Sequence, residues 1–536
     1  MKKVAIVGVG PTGIYTFHAL VEHGEPLAVT LYERGKEAGV GMPYDNENTA
    51  ALMLANIASI EIPPIFTTYL EWLRTQNDAW LARFNIDRAT LHERQFLPRV
   101  ILGDYYRHQF LALVKKAEQA GFIVNVREAC DVIDIRVVQH GVEIWTEGEN
   151  EPHSFDFVAM ATGHLWPDDE NAPRNYFPSP WTGLMDAQIA ACRVGIMGAS
   201  LSGLDAAMAV AIQHGEFVVE NDDTVRFDLH RESRGLQLTL MSRSGILPEA
   251  DFYCPLPYEP LTIATEKAIE SVIAEGAEGL LDRVFQLIVA ELEHADPQWC
   301  KRVALSRLNA DTVAKAWFAD RKKHDPFQWA QSNLREVERN KREKHTVPWR
   351  YTVLRLHEVV ETIVPHLNEQ DRQRFKKGLA RIFIDNYAAI PSESIRRLLA
   401  LREAGILRLL ALGNDYGMKA EDSQTTIMTA DAHHVFDVFI DARGQKALKT
   451  RDLPFPSLRE QLLACGDEIP DVAEDYTLQE PESARGRLAF GALPWLMHDR
   501  PFVQGLVVCA EIGAAMAKAV SQQATGRRRR MWDVEE

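Results

Sequence analysis

The sequence predicts an α/β chain: two nested Rossmann-like dinucleotide-binding domains with β-meanders, plus a helical insertion. Three observations lead there. A glycine fingerprint flanked by two apolar strands occupies residues 4–34. A second glycine motif restarts the pattern after Arg193. One closing-strand motif occurs twice, at Phe155 to Gly163 and at Phe436 to Gly444, once after each glycine motif.

The first fingerprint has a mechanical reason for each part. Val4-Ala5-Ile6-Val7 reads as a buried parallel strand, and Gly8, Gly10 and Gly13 complete G-x-G-x-x-G. Gly8 allows the tight turn, Gly10 clears the approach of a pyrophosphate, and Gly13 lets the following helix lie on the strand. Ile14 to His23 has helical spacing, and the helix start offers free N–H groups and partial positive charge to phosphates. The next apolar run, Leu27 to Tyr32, ends in Glu33, about twenty residues past the last glycine, where an acid accepts from a ribose diol. Pro11, Thr12 and Arg34 join these residues as candidate cofactor contacts.

The second motif follows the strand Arg193 to Met197 and reads Gly198-Ala199-Ser200-Leu201-Ser202-Gly203, with Ser200 at the middle glycine. Serine is small and can donate to a phosphate. Gly198, Ser200, Ser202 and Gly203 are the candidate contacts. The second strand, Leu236 to Met241, ends in Ser242-Arg243-Ser244 where the first unit has Glu33. A cation and hydroxyls there favour a 2′-phosphate, hence NADP(H). An insertion around Phe217 to Ser233 stretches this unit, and a decayed unit kept for packing is the other reading. The repeated closing strands, F-D-(apolar)-A-x-G at one spacing, nest the second unit inside the first.

The remaining stretches are placed around these units. Tyr69 to Phe84 reads as helix, and a helix runs from Gly103 to about Gly121. Ile123–Val126, Ala129–Val138 and Val142–Trp145 alternate like an antiparallel meander, and Leu407–Leu412 with Thr425–Thr429 like hairpin strands. Between residues 255 and 378 the chain is helical, over Leu280–His294, Ala310–Phe318, Ala330–Lys344 and Tyr351–Leu367. Its charged segment Arg335 to Arg350 is an exposed face or a lid over an anionic substrate. Trp317, Trp329 and Trp349 read as core anchors. The chain closes with Gly486–Gly491, a Phe502-to-Leu506 turn and a helix from Val507 to Ser521, whose positive end can face a cofactor. His498 is either an acid or base there or a solvent-facing loop residue. The expected divisions are 1–185 with 450–525 (first domain), 190–254 with 379–449 (second domain), 255–378 (insertion) and 526–536 (basic tail).

Bulk properties narrow the function. The 536 residues carry a formal charge of −17, which argues against a general nucleic-acid or anionic-membrane binder. The six cysteines form no C-x-x-C; this fits a reducing, cytoplasmic setting and removes the dithiol of disulfide reductases. The amino-terminal apolar run is too short, and too soon broken by glycine, for a signal peptide, and no stretch is expected to span a bilayer. No metal-ligand cluster or hydrolytic triad is expected. Arg527 to Arg530 reads as a solvated basic terminus.

With these motifs in view, the chain resembles the FAD-NAD(P)-binding family of two-dinucleotide-binding-domain flavoproteins, and most of all its YdhS-type enterobacterial members. Gly8–Gly13 with Glu33, Gly41-Met42-Pro43-Tyr44, Leu54-Ala55-Asn56-Ile57, Phe96-Leu97-Pro98-Arg99 with Gly103-Asp104-Tyr105, and Ala161-Thr162-Gly163 carry the resemblance. It implies FAD on the first unit, with the isoalloxazine near Asn56 and the Gln504-Gly505-Leu506 turn and Val132 near the adenine. Ile57, Thr162, Gly163 and Gly491 are expected around it. Arg99 is expected to meet a phosphate or the charge of a reduced flavin; a surface salt bridge is its other reading. The function implied is an FAD-dependent oxidoreductase taking hydride from NAD(P)H and passing it to oxygen or a small-molecule acceptor, with N- or C-monooxygenation as one form. The alternatives are an FAD-binding sensor with a vestigial nicotinamide domain and, third, an RNA-associated flavoenzyme.

Overall fold

The computed structural model describes residues 1–45, 52–166, 173–181, 183–221, 224–503 and 505–532, with backbone alone at 221 and 523–532. Two five-stranded parallel sheets form its centre. In the first, the strand order is Leu488–Phe490, Phe157–Met160, Lys3–Val7, Ala28–Tyr32, Ile123–Arg127. In the second it is Tyr176–Phe177, Val438–Asp441, Arg193–Met197, Gln237–Ser242, Leu407–Ala411. Each glycine strand therefore lies between its own second strand and its own closing strand.

The repeat extends to single hydrogen bonds. Asp156 accepts from the Lys3 N–H at 2.9 Å, and Asp437 accepts from the Arg193 N–H at 3.1 Å. That gives the aspartate of F-D its reason: it ties the closing strand to the start of the glycine strand. At the other end, the Ala161 N–H donates to the Val7 carbonyl at 2.8 Å and the Ala442 N–H to the Met197 carbonyl at 2.9 Å. Each unit also carries a three-stranded antiparallel meander, Val132–Val138/Gly141–Thr146/His153–Phe155 and Gly417–Ala420/Thr425–Met428/His433–Phe436.

Two strand expectations need correction. Ile123–Arg127 belongs to no meander; it is the parallel edge of the first sheet, reached through the helix Arg99–Gln119. Leu407–Ala411 is likewise the parallel edge of the second sheet, reached through the helix Ser392–Glu403. Both strands are half-exposed, so they carry polar residues, Asn125, Arg127 and Arg408, that a parallel strand buried on both faces would not. The expected insertion of the second unit is an antiparallel hairpin, Gly215–Asn221 with Thr224–Leu229, packed on Ser392–Glu403.

The helical block is built from sharply started helices. Thr265, Asp296, Asp325 and Asn368 each accept a backbone N–H at a helix start, and proline opens the helices at 297, 326 and 348. Both devices suit the first turn, where N–H groups lack intrahelical acceptors. Leu281, Val284, Ile288, Leu356, Val360 and Phe383 form its core. Phe383 lies in Leu379–Tyr387, so this core runs past 378. Trp299, Trp317 and Trp349 pack together at its edge, Trp299 stacking on Trp349 at 4.9 Å. The block is pinned to the second unit by a buried polar network. Glu249 accepts from Arg350 at 2.5 Å and Trp329 at 2.9 Å, and Asp385 accepts from Arg321 and Trp317.

The last helix, Leu506–Trp532, takes in the backbone of Arg527–Arg530. It lies against Pro11–His23 so closely that a Cβ at Gly513 would stand 2.6 Å from the Thr16 nitrogen. Among the described residues no helix is long and apolar enough to cross a membrane.

Candidate functional site

The first cradle is made by backbone. Gly8 has φ +93°, and a Cβ there would stand 2.4 Å from the Ala161 carbonyl oxygen. A Cβ at Gly13 would stand 2.0 Å from the Gly8 carbonyl oxygen, so the helix sits directly on the turn. A Cβ at Gly10 would face Gly41 at 3.3 Å. Gly10 caps the helix Pro11–His23 without a side-chain bond, and Pro11 has no N–H to offer. The N–H groups of Thr12 and Gly13 have no acceptor within the helix and suit an anion.

Glu33 stands at the rim. Its carboxylate accepts from the Val9 N–H at 3.0 Å and the Gly35 N–H at 2.7 Å. Burial pushes its carboxyl above the usual range, and those two N–H groups pull against the shift. Its remaining lone pairs can accept from a diol. Arg34 is exposed beside it.

The other expected contacts are spread around this cradle. Thr162 is half-buried, and Gly163, at φ +68°, has nothing within 4 Å of where a Cβ would project. Gly505, at φ +98°, is equally open, and Leu506 behind it is buried. The Cys509 thiol, in the first turns of the last helix, sits beside the Thr12 hydroxyl, and burial pushes that thiol up to about 11. Two helix starts therefore meet at Thr12. Asn56 is exposed and Ile57 half-buried, while Val132 is buried at a bulge heading its meander. Gly491 donates its N–H to the Met160 carbonyl and lies under Met516. Gln504 lies outside the described residues. His498 is half-buried, its Nε2 2.9 Å from the Leu448 carbonyl.

The second cradle has the same construction. Gly198 has φ +132°, and a Cβ there would stand 2.7 Å from the Ala442 carbonyl oxygen; at Gly203 it would stand 2.3 Å from the Gly198 carbonyl oxygen. Ser200 precedes the helix Leu201–Ala211, its exposed side chain making no capping bond. Ser202 is half-buried. Ser242 Oγ accepts from the Gly245 N–H at 3.1 Å, and Arg243 is exposed.

Arg99 joins the two units. Its guanidinium pairs with Asp205, on the helix of the second cradle, at 2.7 Å with side chains 9% and 7% exposed. It also donates to the Leu54 carbonyl at 3.0 Å and lies 5.4 Å from the Trp181 ring. The salt bridge is thus internal, correcting its surface placement. Burial raises the Asp205 carboxyl, and Arg99 opposes the shift.

Sequence reading missed a cavity where three parts of the chain meet. The first unit supplies Asn56, Glu61 and Arg94; the loop leaving the second unit supplies Asp251, Cys254 and Tyr258; the helical block supplies Leu354, Asn386 and Tyr387. It holds about 620 Å³ of empty space, its open mouth included. The sequence signals nearby are Asn56 and Phe96, from two of the motifs quoted above, and the proline-containing run Asp251 to Tyr258. Among the described residues no group of three or more His, Cys, Asp or Glu could hold a metal ion.

Comparison with known proteins fits this geometry. Residues 5–165 match the family model described as FAD-NAD(P)-binding, and residues 265–387 match that of the YdhS-like middle domain. Protein YdhS of Escherichia coli (strain K12) is 63% identical over 531 residues, covering 99% of each chain. An ornithine N-hydroxylase from Kutzneria sp. 744 superimposes with TM-score 0.51 at 13% identity, over 97% of this chain and 99% of its own. A reduced ornithine hydroxylase from Pseudomonas aeruginosa does so with TM-score 0.50 at 12% identity, over the same shares. At those identities the likeness is one of fold.

Proposed function

The chain belongs to the YdhS family, and from that premise we propose that it is an FAD-dependent oxidoreductase taking hydride from NADPH, with a small-molecule acceptor at the three-part cavity. One observation carries the reading: two glycine cradles of the same construction, each closed by its own strand and opening onto uncommitted helix N–H groups.

The residues present fit FAD at the first cradle. Thr12 and Gly13 would hold the diphosphate through N–H groups, over a surface where a Cβ at Gly10 would intrude. Glu33 would hold the adenosine ribose. The start of the last helix would place positive charge beside the ring. At the second cradle, Gly198 to Gly203 would hold the NADPH diphosphate, and Ser242 and Arg243 the 2′-phosphate. When bound, FAD supplies the hydride and electron transfer; the protein supplies binding, orientation and local charge. The steric design retained around Gly198 and Gly203 favours a working second site over a vestigial one, and Ser200 leaves its approach open. Hydroxylation of the acceptor is the finer form of the proposal, supported by the shared fold of the two hydroxylases.

The test is anaerobic mixing of FAD-loaded protein with NADPH. Loss of the visible flavin absorbance is the expected result. An oxidised spectrum that stays unchanged would contradict the proposal.

A further inference from the structure

We infer that the three-part cavity receives the ammonium group of a small cationic substrate, held by Glu61, Asp251 and the amide oxygen of Asn386. This rests on the oxidoreductase reading and names the class of its acceptor.

Asn386 is the sharpest indication. It is 6% exposed and lines the cavity. Its Nδ2 donates to the Arg350 carbonyl at 3.3 Å, which fixes the amide, since a flip would set oxygen against oxygen. Its Oδ1 is left buried without a donor. Buried acceptors in folded proteins are paired, so an orphan on a cavity wall marks a place for a donor brought by a ligand.

Charge points the same way. Glu61 receives one backbone N–H, from Ala58 at 3.0 Å; burial raises its carboxyl, and that N–H and Arg94 oppose the shift. Asp251 faces the Lys341 ammonium at 3.9 Å, beyond hydrogen-bond reach. Burial and Glu61 both raise Asp251, and Lys341 and Arg94 oppose them. Glu358 adds negative potential at Tyr258. Of the nearby cations, Arg94 lines the cavity, donates to the Cys254 carbonyl at 2.9 Å and lies 4.9 Å from the Tyr253 ring, while Lys341 donates to Ser392 at 3.2 Å. An added ammonium would meet two carboxylates and an amide oxygen, all acceptors. An added carboxylate would find its cationic partner on the wall in Arg94, against repulsion from both Glu61 and Asp251. Leu354 and Tyr387 offer apolar wall to an aliphatic stem.

The test is calorimetric titration of the full-length, FAD-loaded protein, without NADPH, by three four-carbon probes: putrescine, butanediol and succinate. Putrescine alone is expected to bind. The near-isosteric Glu61→Gln and Asp251→Asn, checked for retained flavin, are expected to bind it at least about tenfold more weakly, as the loss of a charge-assisted hydrogen bond requires. Asn386→Ala should weaken it as well. Succinate binding as tightly as putrescine, no putrescine binding, or both carboxamide variants staying within about twofold of wild type would overturn the inference. Reduction by NADPH is read separately. A flavin that NADPH reduces in a protein that ignores putrescine removes the substrate class alone. Carboxylate-dependent putrescine binding beside a flavin NADPH cannot reduce removes the oxidoreductase reading alone.

Discussion

Asp251 gives the cavity a pH signature that stability can read. Burial, then the neighbouring Glu61, push its carboxyl up to about 7, with Lys341 opposing, whereas an unfolded aspartate titrates near pH 4, about 3.9. The folded value is the higher one, so the folded state binds the proton more tightly. The resulting contribution to stability is fully present below about pH 4 and is lost as pH rises through about 7. Asp251→Asn, which cannot ionise, should therefore melt higher relative to wild type at about pH 8 than at about pH 4. A wild-type-to-variant difference that does not change with pH would show that Asp251 titrates normally. None of this was legible in the sequence, because Glu61, Asp251 and Asn386 come from three distant segments and share no spacing. The glycines were legible, because backbone contacts at Gly8, Gly13, Gly198 and Gly203 leave no room for a side chain.

At the scale of elements, the helix Arg99–Gln119 of the first unit meets the helix Leu201–Ala211 of the second through one buried ion pair. Removing one partner strands the other's charge. Arg99→Ala should cost about 3–5 kcal/mol in denaturant unfolding, and Arg99→Ala with Asp205→Ala should recover much of it. Flavin content separates this role from the expected cofactor contact: if Arg99 serves FAD directly, the double variant stays as flavin-poor as the single. The sequence marked Arg99 as unusual but could not reveal its partner, because Asp205 is hidden among the apolar residues of the second helix. The two edge strands show a second limit. Half-exposure puts Asn125 and Arg127 on Ile123–Arg127 and Arg408 on Leu407–Ala411, and only the helix preceding each identifies it as a parallel crossover strand.

For the whole molecule, nesting settles the geometry. The second unit and the helical block are inserted between the first unit's closing strand, Phe157–Met160, and its last strand, Leu488–Phe490, so the chain must cross between units near both cradles. The helical block reaches back across that junction: Phe502, just ahead of the last helix, inserts among Phe375, Phe383 and Tyr387 of the block, and its N–H donates to Glu361 at 2.7 Å. Nesting was readable because F-D-(apolar)-A-x-G records a fixed set of contacts, from the aspartate on the glycine strand's start to the alanine carbonyl over its turn. The packing of the helical block was not, since its helices carry no motif tied to a partner. The central claim is that each cradle holds its own nucleotide, FAD in the first and NADPH in the second. Its most direct test compares Gly8→Ala and Gly203→Ala by visible spectrum before and after anaerobic NADPH. Gly8→Ala should purify without flavin, and Gly203→Ala should stay yellow while NADPH reduces it at least about tenfold more slowly than wild type, for strain of about 1–3 kcal/mol in the cradle. A Gly8→Ala protein that keeps its flavin, or a Gly203→Ala protein that NADPH bleaches at the wild-type rate, would contradict it.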